Sequence, residues 1–229
     1  MTNAAYAPRP HRALRLAHRG DARHATENTI PAFLAALRVP GCDGLEFDVQ
    51  AARGGVAVCY HDDTLTRVHG LDRPVADMTV ADLEALGIPT LAEALAAIPR
   101  RAFLDVELKG DPGRPAFEAL LGGRGPALER AVVSSFEPAA LARIGGLAPS
   151  WPRWLNAHDA AASTIGVAVE LGCRGLSVEW HALDRAAIAS IRAAGLDVAT
   201  WTVRRRPTYG RLERLGAIAI CVEAAALDG

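Results

Sequence analysis

Residues 44–61 read GLEFDVQAARGGVAVCYH, and this stretch decides the fold. Successive side chains of a β-strand point to opposite faces, so Glu46 and Asp48 project together while Phe47 and Val49 face the other way. An apolar face opposite a carboxylate face is typical of a strand packed against helices on one side. Two oxygen ligands are therefore expected to aim at one point.

A turn follows in the middle of the same stretch. The seven residues 49–55 include Gly54-Gly55 and are too few for a helical crossover, which takes about a dozen residues or more. The sequence therefore predicts a hairpin of two antiparallel strands near 44–61. Pairing outward from the glycines is expected to bring His61 back beside Glu46.

Short runs rich in β-branched residues alternate with Ala/Leu-rich stretches along the whole chain, which is the pattern of parallel strands with helical crossovers. The predicted strands are Leu14–His18, Gly44–Val49, Val56–His61, Ala102–Leu108, Ala131–Ser135, Arg153–Asn156, Gly175–Glu179, Asp197–Val203 and Ala217–Val222. The predicted helices are Ile30–Arg38, Thr79–Leu86, Leu91–Ile98, Phe117–Leu121, Pro138–Ile144, Thr164–Leu171, Asp184–Ala194 and Tyr209–Leu215.

This order predicts an α/β protein, a slightly irregular (β/α)8 TIM barrel. Residues 1–229 are predicted to form one domain, because such a barrel typically takes about 250 residues. The strands number one more than a barrel needs, and the hairpin accounts for the extra one. Residues 62–90 are long for a strand-to-helix loop and are expected to fold over the strand ends as a lid-like insertion.

Composition narrows the classes of function. The net charge is −1 and the arginines are spread throughout the chain. The sequence therefore has no concentrated positive charge that would attract nucleic acid or an anionic membrane. No stretch approaches 18 apolar residues and Met1–Arg15 has no apolar core, so stable membrane insertion and export are not indicated. The four cysteines lack C-x-x-C spacing, which favours free thiols in a reducing, cytoplasmic setting. Composition sets no oligomeric state.

Polar side chains stand at the ends of four predicted strands. They are His18-Arg19, Glu46 with Asp48, His61-Asp62, and Glu107 with Lys109. Because the strands of a barrel end at the same face, these side chains are expected to meet there. Two imidazoles, three carboxylates and two cations form the set needed to break a phosphate ester with a divalent metal.

Lys109 is the only lysine among the 25 lysine and arginine residues. A lysine presents a compact point charge on a flexible stem, whereas an arginine presents a planar fork, so a lysine here indicates a need for the former. Three carboxylates that hold a divalent ion beside two cationic side chains leave a formal charge of about +1, which suits a phosphodiester monoanion. The alternative is a plain structural ion pair between Glu107 and Lys109.

Eight short motifs lie in order between residues 17 and 203. They are Ala17-His18-Arg19-Gly20, Glu27-Asn28-Thr29-Ile30-Pro31-Ala32-Phe33, Leu45-Glu46-Phe47-Asp48-Val49, Val58-Cys59-Tyr60-His61-Asp62-Asp63-Thr64-Leu65, Ile88-Pro89-Thr90-Leu91, Val106-Glu107-Leu108-Lys109, Ser134-Ser135-Phe136 and Trp201-Thr202-Val203. In this order the motifs resemble those of the glycerophosphodiester phosphodiesterase family. Several spaced motifs together are far more specific than any one of them.

The resemblance implies a TIM barrel that hydrolyses a small-molecule glycerophosphodiester to an alcohol and sn-glycerol 3-phosphate. The implied cofactor is one divalent metal ion, Ca²⁺ or Mg²⁺, with Mn²⁺ as a third choice. The implied roles are acid/base catalysis for His18 and His61, metal binding for Glu46, Asp48 and Glu107, phosphate contact for Arg19 and Lys109, and an apolar substrate wall for Trp201. Glu27 is either a substrate contact or a loop-capping carboxylate. We favour His61 as base and His18 as acid, although the two roles are exchangeable.

Two other functions stay open. A lysophospholipase D would act on a related diester and would need an apolar channel around Trp201. A barrel that binds a phosphorylated ligand without cleaving it would fit the altered C-terminus, where Arg204-Arg205-Arg206 replaces the usual Asn and Ile220–Glu223 replaces Ile-Ile-Thr-Asp. Retention of every catalytic residue type favours the hydrolase.

Overall fold

The computed structural model describes residues 12–229, so most of the segment Met1–Arg15 lies outside the described residues. The strands are β1 (Leu14–His18), β2 (Gly44–Ala51), β3 (Ala57–Cys59), β4 (Phe103–Leu108), β5 (Ala131–Ser135), β6 (Arg153–Ala157), β7 (Gly175–Glu179), β8 (Asp197–Val203) and β9 (Ala219–Val222). The helices are α1 (Ile30–Ala36), α2 (Thr66–His69), α3 (Val80–Glu84), α4 (Leu91–Ala97), α5 (Gly113–Arg124), α6 (Pro138–Leu147), α7 (Ala162–Glu170), α8 (Arg185–Ala193) and α9 (Arg206–Leu215).

Eight of these strands form a closed parallel barrel, as predicted. The order around the barrel is β1-β2-β4-β5-β6-β7-β8-β9, and β1 pairs with both β2 and β9. The final strand closes the ring despite its altered sequence, with Leu14 opposite Ala219 and Ala17 opposite Val222. The (β/α)8 prediction is confirmed.

The extra strand is the second arm of the predicted hairpin. β3 runs antiparallel to β2, and Gly54 and Gly55 both take positive φ in the turn between them, where a side chain would be strained. The register pairs Val49 with Cys59, so the expected pairing of His61 with Glu46 is wrong by one residue. The ladder stops after Cys59, and His61 leaves the strand.

The insertion 62–90 has its own small core. Leu65, Val75, Leu83 and Ile88 are buried against Val58 of the hairpin. Its helix α3 begins at Val80, where the Thr79 side chain forms a capping box with Asp82. The insertion is therefore fixed to one side of the barrel.

Helix α5 is longer than the predicted range Phe117–Leu121. It begins at Gly113 and ends at Arg124, and it includes Pro115 and Gly122-Gly123. Proline is tolerated in the first turn because that N–H has no partner within the helix, and Leu95 of α4 packs against Gly123. In the sequence, Pro115 and Gly122-Gly123 indicate the ends of a helix, but in the structure they lie within it.

The barrel interior changes from apolar to polar along each strand. Leu14, Leu16, Phe103, Val132 and Trp154 form a buried cluster at the amino ends of the strands, with the Phe103 and Trp154 rings 6.2 Å apart. Two or four residues further along the chain, the same face carries polar and ionisable groups. They include His18, Asp105, Glu107, Asn156, Cys221 and Glu223. An apolar floor therefore lies beneath a polar upper layer.

Candidate active site

The polar side chains predicted from the sequence meet at the carboxyl ends of the strands, around a cavity of about 330 Å³. The predicted residues that line it are His18, Arg19, Glu46, His61, Glu107, Lys109 and Trp201. Asp48 lies behind this lining with only 1% of its side chain exposed. Glu27 lines a neighbouring cavity of about 230 Å³, which Arg19 also lines.

Three carboxylates form the acidic centre of the site. Glu46, Asp48 and Glu107 each offer one oxygen atom, and these atoms all lie within 4.8 Å of one another. β2 and β4 place them there, because their parallel register sets Asp48 beside Glu107 and because Glu46 shares a strand face with Asp48. All three residues are buried.

Burial and mutual repulsion disfavour the charged forms of this cluster. The pKa of Glu46 lies well above its usual range, first because the carboxyl is buried and then because Asp48 and Glu107 are close. Burial and Asp48 likewise raise the pKa of Glu107. Three crowded oxygen donors without enough positive charge fit a hard divalent cation, which would relieve the repulsion.

Two buried amides orient the carboxylates. Asn28 Nδ2 donates to Asp48 Oδ2 at 2.9 Å, and Asn28 Oδ1 accepts from the Asp48 backbone N–H at 3.2 Å. Asn28 does this from a left-handed backbone conformation, with φ of 59°. Asn156 Nδ2 donates to Glu107 Oε2 at 3.0 Å. These amides hold the oxygens in place, as groups behind metal ligands commonly do.

Two cations flank the acidic centre. Lys109 Nζ lies 2.7 Å from Glu107 Oε1 and 3.6 Å from Asp48 Oδ1. Arg19 Nε lies 3.1 Å from Asp48 Oδ2, and Arg19 Nη1 lies 2.9 Å from Glu27 Oε1. Burial works to lower the pKa of each cation, but the carboxylates outweigh it and raise the pKa above the usual value. Both side chains therefore stay charged.

Both predicted histidines contact a carboxylate through Nδ1. His18 Nδ1 contacts Glu223 Oε1, and His61 Nδ1 lies 2.5 Å from Asp62 Oδ1. In each case an exposed arginine binds the second carboxylate oxygen. These pairs are Arg204 Nε with Glu223 Oε2 at 2.7 Å and Arg67 Nε with Asp62 Oδ2 at 2.6 Å. The same histidine, carboxylate and arginine arrangement therefore occurs twice.

The carboxylates behind the histidines are strongly held as anions. The hydrogen bond to His18 lowers the pKa of Glu223 to about 2, against the effect of burial and with help from Arg204. Burial raises the pKa of Asp62, but hydrogen bonds to Arg67 and His61 outweigh it and lower that pKa. Each imidazole thus has a fixed negative charge beside Nδ1.

Arg67 of the insertion ties two parts of the site together. Besides Asp62, it binds Glu27, with Nη2 to Oε1 at 2.6 Å and Nη1 to Oε2 at 3.1 Å. Glu27 also binds Arg19, so a continuous chain of ion pairs runs from His61 to Arg19. The expected lid-like insertion thus reaches the site through this side chain.

Aromatic rings form one wall of the cavity. Phe136, His158 and Trp201 pack in a triangle with centroid separations of 5.3 to 5.4 Å. Trp201 Nε1 donates to the Ser177 carbonyl at 3.1 Å, which fixes the indole. Cys221 of β9 also lines the cavity and is buried, and its pKa is raised by burial and by nearby Glu46.

Sequence reasoning assigned no role to several residues of this arrangement. They are Asn28, Asp62, Arg67, Asn156 and Glu223. Asp62 belongs to the polar pair His61-Asp62 noted in the sequence, but nothing in the sequence indicated that it binds His61 Nδ1. Arg204 and Glu223 read as departures from a pattern, and only closure of the barrel by β9 shows that they meet at His18. Nothing local in the sequence signals Asn156.

Comparison with known proteins agrees with the geometry. The model of the Glycerophosphoryl diester phosphodiesterase family matches residues 18–227. The chain belongs to this family. Membership in the glycerophosphoryl diester phosphodiesterase family confirms the predicted class of enzyme, a phosphoric diester hydrolase.

Three similar proteins match over nearly their whole length. A glycerophosphodiester phosphodiesterase of Caldanaerobacter subterraneus subsp. tengcongensis is 27% identical over 93% of this chain and 94% of its own. A phosphodiesterase of Oleispira antarctica, solved with the product sn-glycerol-3-phosphate, is 27% identical with a TM-score of 0.82, covering 92% and 93% of the two chains. The enzyme from Thermotoga maritima shares the fold with a TM-score of 0.79 at 24% identity, covering 96% and 97%.

The helices of the barrel are all too short or too polar to be membrane spans. This holds for residues 12–229.

Proposed function

We propose that this chain hydrolyses glycerophosphodiesters to an alcohol and sn-glycerol 3-phosphate in a metal-dependent reaction. The observation that carries the proposal is the meeting of Glu46, Asp48 and Glu107 at one point, within 4.8 Å, beside two histidines that each have a carboxylate at Nδ1. The product bound to the Oleispira antarctica relative supports the glycerophosphate half of the substrate.

Glu46, Asp48 and Glu107 would hold the cation, as Ca²⁺ or Mg²⁺ with Mn²⁺ as a third choice. When bound, such an ion supplies a positive charge that polarises a phosphoryl oxygen. Lys109 and Arg19 balance the negative charge that develops on the phosphoryl group. Their contacts with the same carboxylates keep both cations beside the reacting centre.

The two histidines move protons. With Nδ1 occupied by a carboxylate, each ring has a defined tautomer and presents Nε2 for proton transfer. We assign His61 as the base that takes a proton from water or from the glycerol 2-hydroxyl, and His18 as the acid that gives one to the leaving alcohol. Trp201 and Phe136 form an apolar wall for the substrate.

The chain is further proposed to act as one domain in the cytoplasm. The family match spans residues 18–227, which supports one domain. Cys59, Cys173 and Cys221 are buried free thiols, which suits a reducing compartment.

The test is release of sn-glycerol 3-phosphate from a panel of glycerophosphodiesters, with EDTA and with each metal restored. Loss of activity in EDTA and its return with Ca²⁺, Mg²⁺ or Mn²⁺ would support the proposal. Activity on lysolipids but not on deacylated diesters would replace it with a lysophospholipase D. Phosphate binding without turnover on any substrate would replace it with a binding barrel.

A further inference from the structure

A thiol lies beside the proposed acid catalyst. Cys221 Sγ is 3.8 Å from Glu46 Oε2, and His18 Nε2 is also 3.8 Å from that oxygen. The sulfur, nitrogen and oxygen atoms all lie within 4.8 Å of one another. Cys221 is 5% exposed, so its thiol is fixed in the cavity wall.

The proposed hydrolysis makes no use of this thiol. Ca²⁺ and Mg²⁺ take oxygen ligands, which Glu46, Asp48 and Glu107 provide. A thiolate, an imidazole and a carboxylate are instead the donor types that bind Zn²⁺, and three protein ligands with an open fourth position are common in zinc sites.

We propose that His18, Glu46 and Cys221 form a second metal site, which binds Zn²⁺ and thereby blocks the hydrolase. Tetrahedral zinc bonds of about 2.0 to 2.3 Å place donor atoms about 3.3 to 3.6 Å apart. Two of the three donor pairs are 3.8 Å apart in this structure, so small side-chain movements complete the site.

Zn²⁺ at this position stops the reaction in two ways. The proton on His18 Nε2 passes to solvent and the freed lone pair binds Zn²⁺, so no proton carrier remains for the leaving group. The Zn²⁺ also takes an oxygen of Glu46, which the catalytic cation needs. On binding, the Cys221 S–H bond breaks, its proton passes to solvent, and a sulfur–zinc bond forms without any change of oxidation state.

Cobalt spectroscopy tests the site without measuring activity. Co²⁺ replaces Zn²⁺ and gives a near-ultraviolet charge-transfer band only where a thiolate binds it. With Co²⁺ as the only added metal, the wild type and the matched Cys173→Ala control should show this band, while Cys221→Ala and Cys221→Ser should not, because the oxygen site contains no thiol. Two variants are used so that one remains if the other misfolds, as judged by circular dichroism. No band in the wild type, or a band in a folded Cys221 variant, would overturn the proposal.

Inhibition of hydrolysis by Zn²⁺ is the second test, and only this test rests on the proposed function. Each variant is compared with its own uninhibited rate at saturating Mg²⁺. The Zn²⁺ concentration for half inhibition should rise at least about tenfold in Cys221→Ala and stay unchanged in Cys173→Ala. Equal sensitivity of the two variants would refute inhibition through Cys221. An inactive wild type that still gives the cobalt band would refute the hydrolase assignment and leave the zinc site standing.

Discussion

His61 Nδ1 lies 2.5 Å from Asp62 Oδ1, and the next residue pair outward, Asp62 with Arg67, is joined at 2.6 Å. The imidazole is thus held by its own neighbour in the chain, and that neighbour is held by the insertion. On the other side of the cavity, Glu223 from the last strand and Arg204 do the same for His18. One histidine depends on a local contact and the other on closure of the barrel.

Replacing Asp62 with asparagine should impair catalysis without affecting substrate binding. The amide keeps the shape but removes the charge that fixes the tautomer of His61, so kcat should fall at least about tenfold while KM changes little. Steady-state kinetics on a glycerophosphodiester measures this. Asp63→Asn, one residue further along, is the control, and a normal kcat for Asp62→Asn would exclude Asp62 as a positioning residue.

Neutralising any one of the three carboxylates should weaken metal binding. Glu46→Gln, Asp48→Asn and Glu107→Gln each keep the volume but remove a charged oxygen ligand, so calorimetry should show a loss of affinity of roughly tenfold or more. Glu118→Gln, which changes an exposed side chain of α5, is the control. If Glu107→Gln binds metal as tightly as the wild type, Glu107 is not a ligand.

Two of these variants, Glu46→Gln and Glu107→Gln, make a second measurement possible in EDTA. Burial and repulsion raise the pKa of Glu46 and Glu107, so removing one charge relieves strain in the metal-free protein. We expect their melting temperatures in EDTA to equal or exceed that of the wild type. A large drop would mean that the cluster is a structural ion-pair network.

The histidines should differ in their response to the leaving group. His18→Ala and His61→Ala should each lose about 10² to 10⁴ in kcat on an alkyl diester, which is the usual contribution of acid–base catalysis. A nitrophenyl diester has a leaving group that needs no proton, so it should rescue His18→Ala and leave His61→Ala impaired. Rescue of His61→Ala alone would reverse the two roles, and equal loss on both substrates would exclude separate ones.

Lys109→Arg should lower kcat, although every other basic residue among the lysines and arginines of this chain is an arginine. Lys109 Nζ lies 2.7 Å from Glu107 Oε1, and the lysine side chain is only partly exposed. The longer, planar guanidinium of an arginine would therefore have to displace a carboxylate oxygen. We expect kcat to fall roughly 10- to 100-fold at an unchanged melting temperature. Full activity would make Lys109 a structural ion-pair partner only.

Asp21 should make stability depend on acid pH. Hydrogen bonds from Arg23 lower the pKa of this carboxyl to about 2, below its unfolded value, so the stabilisation is present above about pH 4 and is lost as pH falls toward 2. Asp21→Asn should lower the free energy of unfolding by about 1 kcal/mol at pH 7. The difference in unfolding free energy between the variant and the wild type should become smaller below pH 4. Urea unfolding at several pH values measures it, with exposed Asp72→Asn as control. A gap independent of pH would show that charge is not the cause.

Elements that depend on local pattern were predictable from the sequence. The alternation of Glu46 and Asp48 with apolar residues gave the strand face, and Gly54-Gly55 gave the hairpin. The strand Leu14–His18 and the start of helix α1 at Ile30 match their predicted positions. Interactions between residues close together in the chain decide such features, so a single sequence is enough to predict them.

Features decided by distant contacts were not predictable. The hairpin register differs from the prediction by one residue: Val49 pairs with Cys59, and the Tyr60 N–H donates to the Asp48 carbonyl in the same register. The extent of α5 depends on Leu95 packing over Gly123, far away in the chain. The Glu223 contact with His18 joins residues more than 200 positions apart, and nothing near either residue announces it.

That contact also sets an order of events during synthesis. His18 is synthesised before Glu223 and the strand β9 that closes the ring, which follow more than 200 residues later. Until Glu223 has cleared the exit tunnel, the nascent chain has an open seam and an imidazole without its anion. The acid half of the proposed chemistry therefore requires β9, whereas the three proposed metal ligands lie in a part of the chain that is synthesised before it.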